Sequence, residues 1–251
     1  INTQGQALNN RDSGRAGIVS GGALAITSGD FDNQNGVIAA ASAATISSAG
    51  VTNGDGKLLS DGALTLNSGA FDNQRGLIQS GTSLSLDTHG AQLTNTASGD
   101  RGGIVARGDL QLLTGTIAGD HGVIQGQNLF IDSRGQAVDI EAGLVSARGE
   151  VQLSSGTLNN RAGRLQSGGD MQLDTQGKSL NNAASGVMVA GGNLRVSSGD
   201  INNSGGSLVS AGNAQLNSAA VNNTDGTLTA DRALTLESGS VDNQHGLLQA
   251  G

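Results

Sequence analysis

Two consecutive segments decide the fold: GVIAAASAATISSAGVTNGD at residues 36–55 and GKLLSDGALTLNSGAFDNQR at residues 56–75. Written one above the other, they share apolar positions, such as Ile38 over Leu58, and an Asn close to the end. Units of this kind begin at residues 16, 36, 56, 76, 102, 122, 143, 163, 186, 206 and 226, with a partial unit from residue 246. Eight of the eleven steps between them are 20 residues, so the repeat governs the interpretation of the whole chain.

Each unit contains three short bursts in which apolar residues alternate with polar or small ones. The first burst is apolar-x-small, the second is apolar-x-apolar-x-Ser/Thr, and the third is apolar-x-Asn. Alternation with period two is typical of strands with one inward face, and the Gly, Asp and Asn residues between the bursts indicate turns. A helix would need apolar spacings of three and four and would lose ~1 kcal/mol for each interior Gly. With 42 Gly in the chain, the pattern predicts three strands and three turns per unit.

A 20-residue unit with three strands cannot bury its inward side chains alone. Stacking successive units as the coils of a right-handed parallel β-helix solves this, because each inward residue then lies over its equivalent in the next coil. With coils about 4.7–4.9 Å apart, twelve levels predict an all-β rod roughly 55 Å long. We expect residues 1–251 to form one such segment, whose open strand edges at both ends favour end-to-end association.

A column of Asn residues lies two positions after the third apolar column. It is interrupted only at Gly119 and Ile140 and consists of Asn33, Asn53, Asn73, Asn95, Asn160, Asn182, Asn203, Asn223 and Asn243. A buried, unpaired amide costs roughly 1–3 kcal/mol. We therefore expect a ladder in which each side chain bonds the turn backbone and the amide of the next coil. A Ser/Thr column, from Ser28 to Ser238, is interpreted as corner capping rather than as a set of nucleophiles.

Four longer segments repeat a second pattern, apolar-Asp/Asn-Ser/Thr-x-Gly. They are INTQGQALNN (1–10), LDTHGAQLTN (86–95), IDSRGQAVDI (131–140) and LDTQGKSLNN (173–182). Each adds two residues at one corner of a coil, and we expect them to form bulges on the surface.

Composition excludes several classes of function. The 13 Lys and Arg against 21 Asp and Glu give a net charge of −8, which argues against nucleic-acid binding. The absence of Cys removes disulfides, thiolate metal sites and Cys nucleophiles together. No apolar run approaches the ~18 residues of a membrane-spanning helix. The N-terminus has no signal-peptide pattern, so we expect the chain to be an internal part of any secreted parent.

Residues suited to catalysis or metal binding are present but scattered. Asp32 and Asp72 share a column with Asp242, yet the first two are two coils apart, about 10 Å, which is too far for a carboxylate pair acting at one bond. We interpret all three as parts of solvated turns. The three His residues fall on different coils without the spacing of metal ligands; they are His89, His121 and His245. The sequence therefore predicts no catalytic residue, no metal site and no cofactor.

One tripeptide suits receptor binding. Arg107, Gly108 and Asp109 form an RGD motif, which we expect in an exposed turn between the first and second strands of a coil. RGD can bind integrins. Turn chemistry alone nearly generates it, however, because equivalent turns read Arg-Gly-Glu at residues 148–150 and Gly-Gly-Asp at residues 168–170.

The units SDGALTLNSGAFDNQRGLIQS (60–80) and the interspersed LDTQGKSLNN (173–182) resemble the haemagglutinin repeats of filamentous-haemagglutinin-like exoproteins. These are the secreted partners of two-partner secretion systems and include contact-dependent growth-inhibition toxins. The resemblance covers essentially the whole chain. It implies a β-helical shaft at the outer surface of a Gram-negative bacterium, exported through a dedicated outer-membrane transporter that recognises an N-terminal secretion domain.

We expect a mechanical function, that of a rigid acidic spacer which holds a distal adhesive or toxin domain away from the cell. Whether the parent is an adhesin or a growth-inhibition toxin stays open. Two other hypotheses also stay open: a module that itself binds a receptor or glycan on the target cell, and, less favoured, a polysaccharide-active enzyme on a β-helical scaffold.

Overall fold

The computed structural model describes residues 1–99 and 102–251, and it confirms the predicted solenoid of parallel β-strands. The described chain winds through about twelve coils, most of them built from three short strands separated by turns. Apart from the strands and turns, the structure has a 3-10 turn at Gly14–Ala16. No helix among the described residues is both long enough and apolar enough to span a membrane.

The first strands of the coils pair with one another into a twelve-stranded parallel sheet. They span Ile18–Ser20, Val37–Ala40, Lys57–Ser60, Leu77–Ser80, Gly103–Ala106, Val123–Gly126, Leu144–Ala147, Arg164–Ser167, Val187–Ala190, Ser207–Ser210, Thr227–Ala230 and Leu247–Ala250.

The second and third strands of the coils belong to one 21-stranded sheet. The second strands span Leu24–Thr27, Ala44–Ser47, Leu64–Asn67, Leu84–Asp87, Leu110–Leu113, Leu129–Asp132, Val151–Ser154, Met171–Asp174 and Leu194–Ser197. The third strands span Leu8–Asn9, Asp30–Asp32, Gly50–Thr52, Phe71–Asp72, Leu93–Thr94, Ile117–Ala118, Val138–Asp139, Leu158–Asn159, Leu180–Asn181 and Asp200–Asn202. In the last two coils one strand covers both positions, at Ala214–Asn222 and Leu234–Asp242.

The register between coils matches the apolar columns of the sequence. Ile38 pairs with Leu58, and Leu58 pairs with Ile78, in the first-strand sheet. The register survives the irregular steps as well, since Leu110 pairs with Leu129 across 19 residues and Leu129 with Val151 across 22. Extra and missing residues are therefore absorbed in the turns, and the inward face of each strand stays inward.

The core is a continuous stack of aliphatic layers. Its inward Ile, Leu, Val and Met side chains are buried from the coil that begins at residue 36 to the coil that begins at residue 206, together with Phe31 and Phe71, each 1% exposed. Small residues lie at the inward end of each first strand because the core has no space there for a larger side chain. At Gly126, a Cβ atom would lie 2.9 Å from Leu129 Cδ2 and 3.0 Å from Leu110 Cβ.

The turn after each third strand has a left-handed residue at a constant position. Asn35 and Asp55 have φ of 51° and 55°, and Gly36 N–H closes the first of these turns on the carbonyl of Asn33 at 3.0 Å. Asn and Asp are the non-glycine residues that most readily adopt this conformation. The same position also holds Arg75, His121 and His245, so the geometry comes from the stacked coils and not from one residue type.

The two ends of the solenoid leave column residues uncovered. Val241 is 45% exposed, whereas Val221, its register partner in the preceding coil, is 2% exposed. Ile1 at the other end is 54% exposed. Each end therefore combines exposed apolar side chains with strand edges whose hydrogen bonds are unmade.

We predict that the purified 251-residue chain associates through its ends. Sedimentation velocity over a concentration series should show mass increasing with concentration. Val241→Lys, which places a charge in the uncovered column, should weaken this association, whereas Gln215→Lys on the side of the rod should not. A chain that stays strictly monomeric at high concentration would contradict the prediction.

Candidate functional site

The predicted Asn ladder is present at the corner after the third strands. Asn33 Nδ2 donates to Asn53 Oδ1 at 2.7 Å, and Asn53 Nδ2 donates to Asn73 Oδ1 at 2.7 Å. The same amide reaches the next coil's backbone, as in the 3.0 Å bond from Asn203 Nδ2 to the carbonyl of Thr227. The side chains of the ladder from Asn33 to Asn223 are fully buried, so these bonds satisfy amides that water cannot reach. The ladder is structural and offers no surface to a ligand.

The ladder consists of two runs separated by a gap. The first run begins one coil earlier than predicted, because Asn10 Nδ2 donates to Asn33 Oδ1 at 2.7 Å. At the gap, which is created by Gly119 and Ile140, Asn95 Nδ2 bonds the carbonyl of Val123 at 3.0 Å instead of another amide. On the far side of the gap, Asn160 Oδ1 is buried and has no hydrogen-bond partner among the described residues.

The Ser/Thr column caps the corner after the second strands, as expected, but not in every coil. Ser68, Thr114 and Ser155 each donate to the carbonyl of the next residue at 2.9–3.1 Å. Thr88 and Ser133 reach the carbonyl three residues on, at 2.6 Å in both cases. The buried hydroxyls of three members have no partner within the described chain: Ser28, Ser48 and Ser198.

The Asp residues beside the ladder are turn residues. The Oδ1 atoms of Asp32, Asp72 and Asp242 each accept a hydrogen bond from the backbone N–H two residues later, at 2.9–3.1 Å. Asp32 also pairs with Arg11 at 2.8 Å, and Thr52 lies between it and Asp72 in the register. These carboxylates stabilise separate turns and are not gathered at one point where a bond could be cleaved.

Two ionisable side chains outside this column have pKa values shifted by their hydrogen bonds. Hydrogen bonding to the Asp55 carboxylate, at 2.7 and 3.0 Å, raises the pKa of the Arg75 guanidinium. The backbone and side-chain N–H groups of Asn193 lower the pKa of Asp170, whose Oδ1 is 2.7 Å from the backbone nitrogen. Both groups lie at the surface and keep their ordinary charge at neutral pH.

The His residues lie where the sequence placed them, exposed and on different coils. His121 Nδ1 is 2.7 Å from Asp120 Oδ1, His89 Nδ1 is 3.6 Å from Asp87 Oδ2, and His245 is exposed in the last coil. No group of three or more His, Asp or Glu side chains within residues 1–99 and 102–251 is arranged to hold a metal ion.

The four longer segments form two-residue turns at the corner after the second strand. Both central residues have positive φ in every copy: Gln4 and Gly5, His89 and Gly90, Arg134 and Gly135, Gln176 and Gly177. A hydrogen bond of 2.9–3.1 Å closes each turn, which is the type I′ geometry. Arg134 reaches across two coils to Asp87 at 3.2 Å, so the turns on alternate coils contact one another.

The RGD tripeptide lies in the turn between the first and second strands of its coil, with the Arg107 and Asp109 side chains exposed. Its backbone is hydrogen-bonded to the neighbouring coils on both sides and does not project from the solenoid. The N–H of Gly108 donates to the carbonyl of Thr82 and its carbonyl accepts from the N–H of Gln127, both at 2.8 Å. Asn128 Nδ2 donates to Asp109 Oδ1 at 2.8 Å, so part of the carboxylate is already engaged.

Next to this turn lies a surface groove of about 450 Å³ around Phe130. Phe130 is 40% exposed and points outward from the second strand of its coil, between the buried Leu129 and Ile131. In the register it stands between Gln111 and Gln152 on the neighbouring coils. The turn side of the groove is lined by Asp109, Asn128 and Glu150.

A comparison with protein families identifies the repeat. The sequence model of the haemagglutinin repeat matches residues 2–55, 19–112, 83–138, 114–179, 172–230 and 189–251, and so covers the chain almost from end to end. The chain belongs to the haemagglutinin-repeat family. These repeats are structural and of the adhesin type, are not a known enzyme family, and occur in proteins that are typically secreted or surface-exposed. No curated protein and no solved structure matches the chain.

The Phe130 groove was not predicted from the sequence of this haemagglutinin-repeat chain, although a signal for it is present. Phe130 stands between two members of inward columns, Leu129 and Ile131, and alternation alone puts it outside. The RGD turn lies at the surface, and whether it binds a receptor stays a prediction.

We predict that one break in the Asn ladder destabilises the neighbouring coils by about 2–3 kcal/mol. Asn203→Ala removes the acceptor of Asn182 Nδ2, at 2.8 Å, and the donor to Asn223 Oδ1, at 2.7 Å. The matched control is Asn202→Ala, which removes one exposed bond to Ser204 N–H at 3.1 Å and should cost about 0.5–1 kcal/mol. Urea unfolding followed by circular dichroism measures both, and equal losses would show that the ladder has no special role.

Proposed function

We propose that this chain is part of the structural shaft of a large exoprotein of a two-partner secretion system. The shaft would hold a distal adhesive or toxin domain away from the bacterial surface. The observation that carries the proposal is the unbroken parallel register of haemagglutinin repeats from the first coil to the last. Because each coil is hydrogen-bonded to both neighbours over three strands, the stack resists bending, as a spacer requires.

The outer surface supports a spacer better than a tight protein-binding module. A stable interface needs a contiguous apolar patch, whereas the exposed large apolar residues among those described are scattered over different coils. They are Ile1, Val19, Phe130, Val241 and Leu247. The net charge of −8 also keeps neighbouring rods apart.

The chain is suited to export in an unfolded form through an outer-membrane transporter, engaged through the N-terminal secretion domain that such exoproteins carry. It has no Cys that could cross-link and no Pro whose isomerisation could delay winding. Each coil pairs with a coil only about 20 residues away, as Leu208 does with Leu228. Coils can therefore add one at a time as the chain emerges.

A second candidate function is direct adhesion, and the exposed RGD turn is the observation that favours it. The turn lies on the side of the rod, where a target-cell receptor could approach Arg107 and Asp109. A polysaccharide-active enzyme has less support, because the carboxylates of the Asp column are bound in separate turns.

The shaft proposal predicts that length can be changed without loss of folding. Duplicating residues 206–225 should lengthen the rod by about 4.7–4.9 Å per added coil in small-angle scattering. The refolding rate should change little, because no contact becomes longer in sequence. Refolding that slows steeply with each added coil would contradict winding one coil at a time, and an unchanged length would contradict the shaft.

Binding of the purified chain to epithelial and bacterial cells distinguishes the two functions. As a shaft alone, the chain should show no binding that depends on the RGD turn. If the RGD turn is adhesive, binding should be saturable and lost in Asp109→Glu. Glu150→Asp provides a matched variant, since it places the same tripeptide in the equivalent turn two coils along and should then increase binding.

A further inference from the structure

The groove around Phe130 differs from the rest of the solenoid surface. The outward residues of the second strands form one row in register, and near the middle of the rod this row reads Gln111, Phe130, Gln152 and Gln172. Among the described residues Phe130 is the only exposed Phe, and the chain has no Trp or Tyr. One aromatic face is thus placed in a row of primary amides.

The amides in this row have free hydrogen-bonding capacity, although Gln111 Oε1 already accepts a bond of 3.4 Å from Ser85 Oγ. Gln152 and Gln172 are exposed, and their side chains make no hydrogen bond to another described residue. Each Gln presents a carbonyl acceptor and two N–H donors in one plane, and Asp109 and Glu150 add carboxylate acceptors at the edge. Planar groups of this kind suit a ligand that carries hydroxyls on adjacent carbon atoms, since each hydroxyl both donates and accepts.

The charge of the groove limits the ligand further. Both charged residues that line it, Asp109 and Glu150, are acidic, so a sulfated or sialylated ligand would be repelled. A protein partner fits less well, because the cores of protein interfaces are depleted of charged residues and contain more than one apolar anchor.

We propose that the Phe130 groove binds a neutral oligosaccharide. The aromatic ring packs against the apolar face of one sugar ring, while Gln111 and Gln152 on either side bond the hydroxyls of that ring and its neighbours. The coil spacing of about 4.7–4.9 Å lets successive sugars meet successive coils. This site is additional to the shaft role and independent of it, since a shaft needs no ligand on its side.

The test uses the intact 251-residue chain and neutral hexasaccharides of glucose, mannose, galactose and N-acetylglucosamine, with a heparin hexasaccharide as the anionic probe. The chain contains no Trp, so Phe130→Trp creates a single fluorescent reporter inside the groove. At least one neutral probe should change its emission in a saturable manner, and isothermal titration should give a similar affinity for the unmodified chain. Phe130→Ala should weaken that binding about tenfold or more, equivalent to at least about 1.4 kcal/mol.

The matched control is Gln215→Ala, which removes an exposed amide from the same row four coils beyond Phe130 and should leave binding unchanged. Circular dichroism of each variant establishes that the coils are intact. The proposal is overturned if no neutral probe binds at millimolar concentration, if Phe130→Ala binds as well as the unmodified chain, or if the heparin probe binds more tightly than every neutral one. None of these results would affect the shaft, which is tested by its length.

Discussion

The structure depends on one constraint: each residue must lie directly above its counterpart in the preceding coil. A slip of one position would turn every inward side chain of a strand toward water. The corners enforce this register. The Asn amides join successive coils at 2.6–2.8 Å, and irregular segments are confined to turns, where additional residues such as Arg134 and Gly135 project outward. Strand spacing, rod shape and the thin aliphatic core all follow from that alignment.

Most of this architecture could be predicted from the sequence, because the alignment of coils restricts which residue types each inward position can hold. Inward positions accept only apolar or small residues, and the buried corner favours Asn, so both appear as columns. Asn10 escaped notice because it precedes the first complete unit. The unpaired Asn160 Oδ1 follows from Ile140, which interrupts the Asn column. The unpaired hydroxyls of Ser28 and Ser48 could not be predicted, because a column shows that a residue is buried but does not fix the rotamer of its side chain.

Outward positions are not restricted in this way. Surface function is therefore difficult to predict from the sequence. The residue between Leu129 and Ile131 could be any that tolerates water, and only the folded chain shows that Phe130 stands among glutamines beside an acidic turn. The separation has a functional meaning. The inward half of each strand is committed to holding the rod together, while the outward half can change without cost to the core. A haemagglutinin-repeat solenoid can thus act as a support and acquire binding sites along its length.

The Asn ladder also gives the rod a direction. In every pair the donor belongs to the earlier coil and the acceptor to the later one, from Asn10 and Asn33 to Asn223 and Asn243. Aligned amides polarise one another, so each run of the ladder behaves as a line of dipoles with an oxygen at one terminus and an N–H at the other. Two rods joined head to tail would continue this line of dipoles. A head-to-head junction would instead place like groups, two amide oxygens or two N–H groups, opposite each other. The two termini of the rod are therefore chemically distinct.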